Sequence, residues 1–171
     1  MTEISCRCGA VGLALSGAPI IAAECHCASC RAAARQIAPD FPVQERNGGT
    51  RYVLQRKDRV RLLRGADRLA SFRLAPDSTT QRIIATCCGS PMWLEFRGGH
   101  WISIYSALWP DGAAPAPELR TMTRDAEVDL PDDLPNARTH SVRFMARLLA
   151  AWLRMGFRKP PVAEVRRPYA A

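Results

Sequence analysis

Seven cysteines in three groups carry most of the chemistry open to this sequence. They read Cys6-Arg7-Cys8-Gly9, then Cys25-His26-Cys27-Ala28-Ser29-Cys30-Arg31, then Cys87-Cys88-Gly89-Ser90-Pro91. Spacings of Cys-x-Cys and Cys-x-x-Cys let one tight turn present two sulfurs to a single ion, and four thiolates in a tetrahedron are a common structural zinc set. A glycine after the second sulfur, Gly9 or Gly89, permits the left-handed backbone such turns often need. An odd number of cysteines also argues against a closed disulfide set. Met1-Thr2-Glu3-Ile4 lacks the basic leader of an export signal, and Gly12, Gly17 and Pro19 interrupt the apolar stretch that follows. A cytoplasmic protein with reduced, metal-holding thiols is the expectation.

Cys25, Cys27 and Cys30 differ from the other groups. Three thiolates within six residues leave the fourth position of a zinc ion open, which distinguishes a catalytic site from a closed structural one. A metal there would hold an incoming thiol as thiolate and so activate a sulfur nucleophile. His26, between two of these cysteines, has three readings: it orients a substrate, supports a ligand, or is simply exposed. Arg31 and Arg35 follow directly and would suit an anionic thiol, although solvated surface arginines fit the pattern equally well.

The elements that must position these groups are short strands. Val11, Leu13 and Leu15 alternate with small residues as in a half-buried strand, and Ile20 to Ala23 reads as its partner feeding Cys25. Further strands are expected at Arg51 to Leu54, Val60 to Leu63, Leu69 to Leu74, Gln81 to Ala85, Met92 to Phe96 and Trp101 to Tyr105. Asn47-Gly48-Gly49, Arg64-Gly65, Pro76-Asp77 and Gly98-Gly99 are the turns between them. Trp93, Trp101 and Trp109 are core or pocket wall. Residues 1–110 are therefore expected to form a mainly β, zinc-binding domain, 111–135 a loop or linker, and 136–171 a basic helix and tail. Within the last segment Val142, Met145, Leu148, Leu149, Trp152 and Leu153 share one helical face, with Arg143, Arg147 and Arg154 off it, and Gly156 and Pro160-Pro161 end the helix.

Composition sets the remaining bounds. With 47% hydrophobic residues the chain of 171 is too apolar for disorder, and no apolar run approaches the roughly 20 residues of a membrane span. The net charge of +8 is concentrated in the tail, where eight Lys or Arg face Glu164 alone. Without interleaved aromatic platforms this basic helix is not expected to bind nucleic acid. It packs on the β-domain with its arginines in water, makes a homodimer or acidic-partner contact, or meets an anionic surface.

Cys-x-Cys-Gly-Ala-Val, then Cys-His-Cys-x-x-Cys-Arg, then Cys-Gly-Ser-Pro resemble the glutathione-dependent formaldehyde-activating enzyme family, which includes the centromere protein V-like domain. The resemblance runs from about Ile4 to Trp109. It implies a β-tent fold of short antiparallel strands with two zinc sites, and a carbon–sulfur lyase acting on S-hydroxymethylglutathione, the adduct of glutathione and formaldehyde. It implies that Cys25, Cys27 and Cys30 hold the catalytic zinc, and that Cys6, Cys8 and Cys88 belong to the structural one. This chain departs from the family where Ala85 replaces the first cysteine of the third group. The fourth partner is then Cys87, or else a distant histidine (His100 or His140) or water, unless that zinc is lost. Because neighbours in an extended strand point to opposite sides, Cys87 and Cys88 can share an ion only if the backbone turns sharply there. The other reading is non-enzymatic: a zinc-stabilised scaffold acting through its basic helix.

Overall fold

Apolar runs punctuated by Gly, Pro and Asn become strands in two sheets. The structure, a computed structural model, describes residues 1–37, 41 and 43–169; Ala170 and Ala171, the end of the expected tail, lie outside the described residues. Strands β1 (Thr2–Ser5), β2 (Gly12–Leu15) and β5 (Val60–Arg64) form an antiparallel sheet in the order β1-β2-β5. The larger sheet contains β3 (Ile21–Cys25), β4 (Thr50–Arg56), β6 (Leu69–Phe72), β7 (Thr80–Ala85), β8 (Ser90–Phe96), β9 (Trp101–Tyr105) and β10 (Arg120–Thr121). Its order is β10-β3-β4-β9-β8-β7-β6, with β10 parallel to β3 and the other pairs antiparallel. The chain is mainly β, in agreement with the sequence.

Three features of the chain before β4 differ from the sequence reading. First, β2 and β3 are not partners. Ser16 N–H donates to Arg59 O, just before β5, and Ile20 N–H to Leu54 O of β4, so the Gly17-Ala18-Pro19 break carries the chain from one sheet into the other. Sequential strands pair by default only while nothing else competes for their edges. Second, β2 is buried on both faces, Ala14 as deeply as Leu15, where the alternation had suggested a half-buried strand. Third, the chain after Cys27 is helical. Helix α1 (Ala28–Ile37) contains three consecutive alanines, Ala32 to Ala34, which favour helix over strand.

Helix α2 (Val142–Arg154) starts where Ser141 Oγ accepts the Phe144 N–H at 3.2 Å, an N-cap bond. Its buried line is Phe144, Leu148 and Ala151, continued by Met155. Val142, Met145, Leu149 and Leu153, which the periodicity had assigned to the core face, are half or more exposed. Arg147 Nη1 donates to both carboxylate oxygens of Glu118 at 2.8 Å and reaches Ile20 O at 3.4 Å, and the imidazole Nε2 of His100 lies 2.8 Å from Leu148 O. Trp152 stacks on His100, with ring centroids 5.6 Å apart. These contacts dock α2 on the larger sheet. No helix among the described residues is long and apolar enough to cross a membrane.

Candidate metal centres and the adjoining cavity

All seven cysteines are free thiols, and they gather in two places. Cys6, Cys8, Cys87 and Cys88 form one group and Cys25, Cys27 and Cys30 the other; within each, the sulfurs lie within 4.8 Å of one another. Each group could hold a metal ion.

The four-sulfur group joins the two sheets. Cys6 and Cys8 follow β1, while Cys87 and Cys88 lie in the turn linking β7 to β8. Cys6 N–H donates to Val11 O and Gly9 N–H to Cys6 O; Gly9, at φ +77°, has the left-handed backbone that closes this loop. On the other side Ala85 pairs with Ser90, so residues 86–89 form the turn, and Ala85 O accepts from both Cys88 N–H (3.3 Å) and Gly89 N–H (2.9 Å). The sharp bend that Cys87 and Cys88 require is therefore present. The S···S separations are 3.6 Å for Cys6–Cys8, 3.8 Å for Cys6–Cys87, 3.3 Å for Cys8–Cys87 and 3.9 Å for Cys87–Cys88. Sulfurs about 2.3 Å from a tetrahedral ion lie about 3.8 Å apart, so the donor set fits zinc in number, type and spacing. Ser90 Oγ sits 3.1 Å from Cys88 Sγ. Burial would raise the Cys88 thiol, but hydrogen bonds from Ser90 and Cys8 prevail and lower it to about 6. Neither histidine considered as a fourth partner joins this group: His100 is against α2, and His140 lines the cavity described below.

The three-sulfur group sits where β3 hands over to α1. Cys25 ends the strand, Cys27 immediately precedes the helix, and Cys30 lies in its first turn. Cys30 Sγ is 3.9 Å from Cys25 Sγ, and Cys30 N–H points at Cys27 Sγ at 3.4 Å. The Cys27 thiol is pulled down by hydrogen bonds from Cys25 and Cys30, with Ser29 Oγ, 3.2 Å away, and the Cys30 N–H adding to them. Cys25 is raised by its hydrogen bonds with Cys27 and Cys30 and by burial. Three sulfurs this close share protons readily, and a metal would displace them.

Around this group stand residues that sequence reasoning did not select. Tyr52 OH donates to Cys30 Sγ at 3.5 Å. Arg82, only 1% exposed, donates through Nη2 to Ser29 O at 3.1 Å, and its Nε has no protein partner. Burial disfavours its charge, but Tyr105, Tyr52 and Cys30 outweigh that and raise its pKa further. A cation is thus fixed beside the sulfurs. Burial keeps the Tyr52 phenol well above its ordinary range and pushes Tyr105 up to about 12, so both remain neutral hydrogen-bond donors. The one signal in the sequence was a charged residue inside an apolar strand, Arg82 before Ile83-Ile84-Ala85.

Glu24 is the second residue of that kind. It is 5% exposed, and its Oε1 accepts from Asn47 Nδ2 at 2.8 Å and Arg120 Nε at 3.1 Å and lies 2.8 Å from His26 Nε2. Burial alone would raise its carboxyl; these hydrogen bonds reverse that and hold it at about 2. His26 is fully buried in this network, which excludes the exposed reading. Arg120 also reaches Asp133 at 2.8 Å and Pro131 O at 3.0 Å, clipping the 131–136 segment and β10 onto the strand that ends in Cys25. Arg31 donates to His26 O and lies 3.2 Å from Glu127, and Arg35 is 3.8 Å from the same carboxylate. Replacing Arg120 by Met leaves Glu24 buried without its cation. Thermal unfolding should then show a loss of about 3–5 kcal/mol, or roughly 10 °C for a chain of this size. Removal of the exposed Arg35 should change stability by under about 0.5 kcal/mol.

A cavity of about 350 Å³ opens from Cys25, Cys27 and Cys30. Its walls include Leu54, Leu94, Phe96 and Trp101 from the large sheet, and Phe144, Met145 and Leu148 of α2 close it. Trp93 is core, while Trp109 lies beside Ile4 and Phe41 at a separate groove.

No curated protein matches the chain. A protein of Rhodobacter sphaeroides with a crystal structure is similar at 20% identity, the match covering 64% of this chain and 89% of that one with a TM-score of 0.47. The profile of the family described as glutathione-dependent formaldehyde-activating enzyme matches residues 1–124, which contain both sulfur groups, and the chain belongs to that family.

Proposed function

We propose that this chain is an enzyme of the carbon–sulfur lyase type, acting on a small thiol adduct, either S-hydroxymethylglutathione, as the family resemblance implies, or another adduct of the same thiohemiacetal kind. Zinc would be held at the reacting centre by Cys25, Cys27 and Cys30, and a second, structural zinc by Cys6, Cys8, Cys87 and Cys88. The observation that carries the reading is the three-sulfur group opening onto a cavity, in a chain of this family. Zinc held by these three cysteines would supply Lewis acidity and favour the thiolate form of an incoming thiol.

The chain's own residues do the rest. The end of β3 and the first turn of α1 hold three sulfurs at fixed separations, so no ordering is required when substrate arrives. Arg82 offsets the negative charge that several thiolates concentrate, and the Tyr52 hydroxyl, bonded to Cys30, limits that sulfur's motion. The apolar walls exclude water from a reversible addition. In the synthetic direction the thiol sulfur bonds to the aldehyde carbon, the carbonyl π pair moves to oxygen, and the thiol proton ends on that oxygen; cleavage is the reverse.

The scaffold reading draws on Leu149 and Leu153, exposed along α2, and Phe157, exposed just beyond it. Against it, Arg147 is committed to Glu118 of the same chain, and Arg143 Nη2 lies 3.6 Å from that carboxylate. Cobalt in place of zinc tests the enzyme reading. Adding a small neutral thiol such as 2-mercaptoethanol should change the visible spectrum of the cobalt protein, and replacement of Cys30 should abolish the change. A spectrum indifferent to every thiol would reject it.

A further inference from the structure

We infer that the adduct handled at this centre carries an uncharged, apolar body, a hydrocarbon or aromatic thiol and not a charged tripeptide, seated between the large sheet and α2. This rests on the reading of the three-sulfur group given above and narrows its substrate class. Among the described residues, none of those lining the cavity is Lys, Arg, Asp or Glu; its few polar groups, such as Ser103, Thr80 and His140, are neutral hydrogen-bonding side chains. His140 stacks on Phe144 with centroids 5.0 Å apart.

Glutathione carries two carboxylates and an ammonium. A carboxylate brought into such a cavity would lose its hydration without gaining a charged partner, a large penalty. Several neighbouring cations do not line the cavity. Arg31 and Arg35 face Glu127 and do not line the cavity. Arg143, Arg147 and Arg154 line a different groove, against Pro19 and Ile20. Arg82 is held to Ser29 behind the sulfurs. A cavity of about 350 Å³ with hydrocarbon walls and a sulfur-rich end matches a ligand with an apolar body and one thiol or thiohemiacetal head. The wall formed by Phe144, Met145 and Leu148 lies beyond residue 124, outside the part of the chain that the family profile matches.

Calorimetry on the zinc-loaded protein, titrated separately with benzyl mercaptan, 2-mercaptoethanol and glutathione, tests the inference. Benzyl mercaptan should bind at least about tenfold more tightly than glutathione, and more tightly than 2-mercaptoethanol, because only it fills the apolar walls. Glutathione binding as tightly as benzyl mercaptan would overturn the substrate class while leaving the thiol-binding centre intact. If none of the three thiols binds, the reading of the centre fails and the inference with it. The variant Met145→Lys alters a half-exposed residue on the cavity wall and so leaves the core untouched. It should weaken benzyl mercaptan about tenfold and strengthen glutathione severalfold. An unchanged benzyl mercaptan affinity in that variant would place the apolar body elsewhere and also overturn the inference.

Discussion

Replacing Cys25 by Ser should reduce bound zinc from two ions to one and slow adduct formation by about a thousandfold, equivalent to roughly 4 kcal/mol of barrier. The reason is local. Cys25 is one of only three sulfurs in its group, and a serine hydroxyl is a far poorer zinc ligand than a thiolate, so two sulfurs would remain where at least three protein ligands are needed. The fold should survive. Cys25 is partly exposed at the end of β3, its backbone pairing with Thr50 and Thr121 does not depend on the sulfur, and the other sulfur group lies elsewhere. Metal analysis by mass spectrometry, with NMR detection of the hydroxymethyl adduct, reads both effects. The scaffold reading expects the opposite pattern: a lower unfolding temperature, with nothing lost from catalysis because there was none. A Cys25→Ser protein with two zinc ions and full turnover would reject the assignment of this centre.

Loss of the other ion should be felt mainly as stability. Cys6 and Cys8 follow a strand of the small sheet, and Cys87 and Cys88 belong to a hairpin of the large one, so a metal held by all four acts as a cross-link between sheets. Such a link removes conformational freedom from the unfolded chain and couples metal affinity to folding. Zinc bound to short structural motifs contributes on the order of 10–16 kcal/mol. Because the two sheets also hold hydrogen-bonded ladders and a buried core of their own, we expect Cys6→Ala to cost less than that, at least about 4 kcal/mol, lowering the unfolding temperature by about 8–16 °C. A strong chelator should reproduce that shift in the natural protein and add little in the variant. Cys87→Ala is the sharper test, since this side chain is exposed and its removal opens no cavity. It should cost nearly as much as Cys6→Ala and lose the same ion. Retention of two zinc ions by Cys87→Ala would remove Cys87 from the ligand set.

The parts of this protein legible in the sequence are those governed by neighbours in the chain. Cys-x-Cys, Cys-x-x-Cys and the glycines after them report local turns, and alternation of apolar residues located most strands of the large sheet to within a few residues of their ends. The same residues carry the family resemblance, which the profile match establishes. Tertiary structure decided whatever depended on partners distant in sequence. Whether Cys87 and Cys88 could approach Cys6 and Cys8 rested on a four-residue turn, fixed by the pairing of Ala85 with Ser90. Glu24 and Arg82 are charged residues inside apolar strands that sequence reasoning did not select, and only folding supplied the Arg120, Asn47 and sulfur neighbours that make their burial tolerable. The apolar positions of α2 offered two adjacent stripes. Periodicity selected the stripe through Val142, Met145, Leu149 and Leu153, and the structure buries the one through Phe144, Leu148 and Ala151, because a helix buries the side that its docking site selects, and here that site includes the cavity beside Cys25, Cys27 and Cys30.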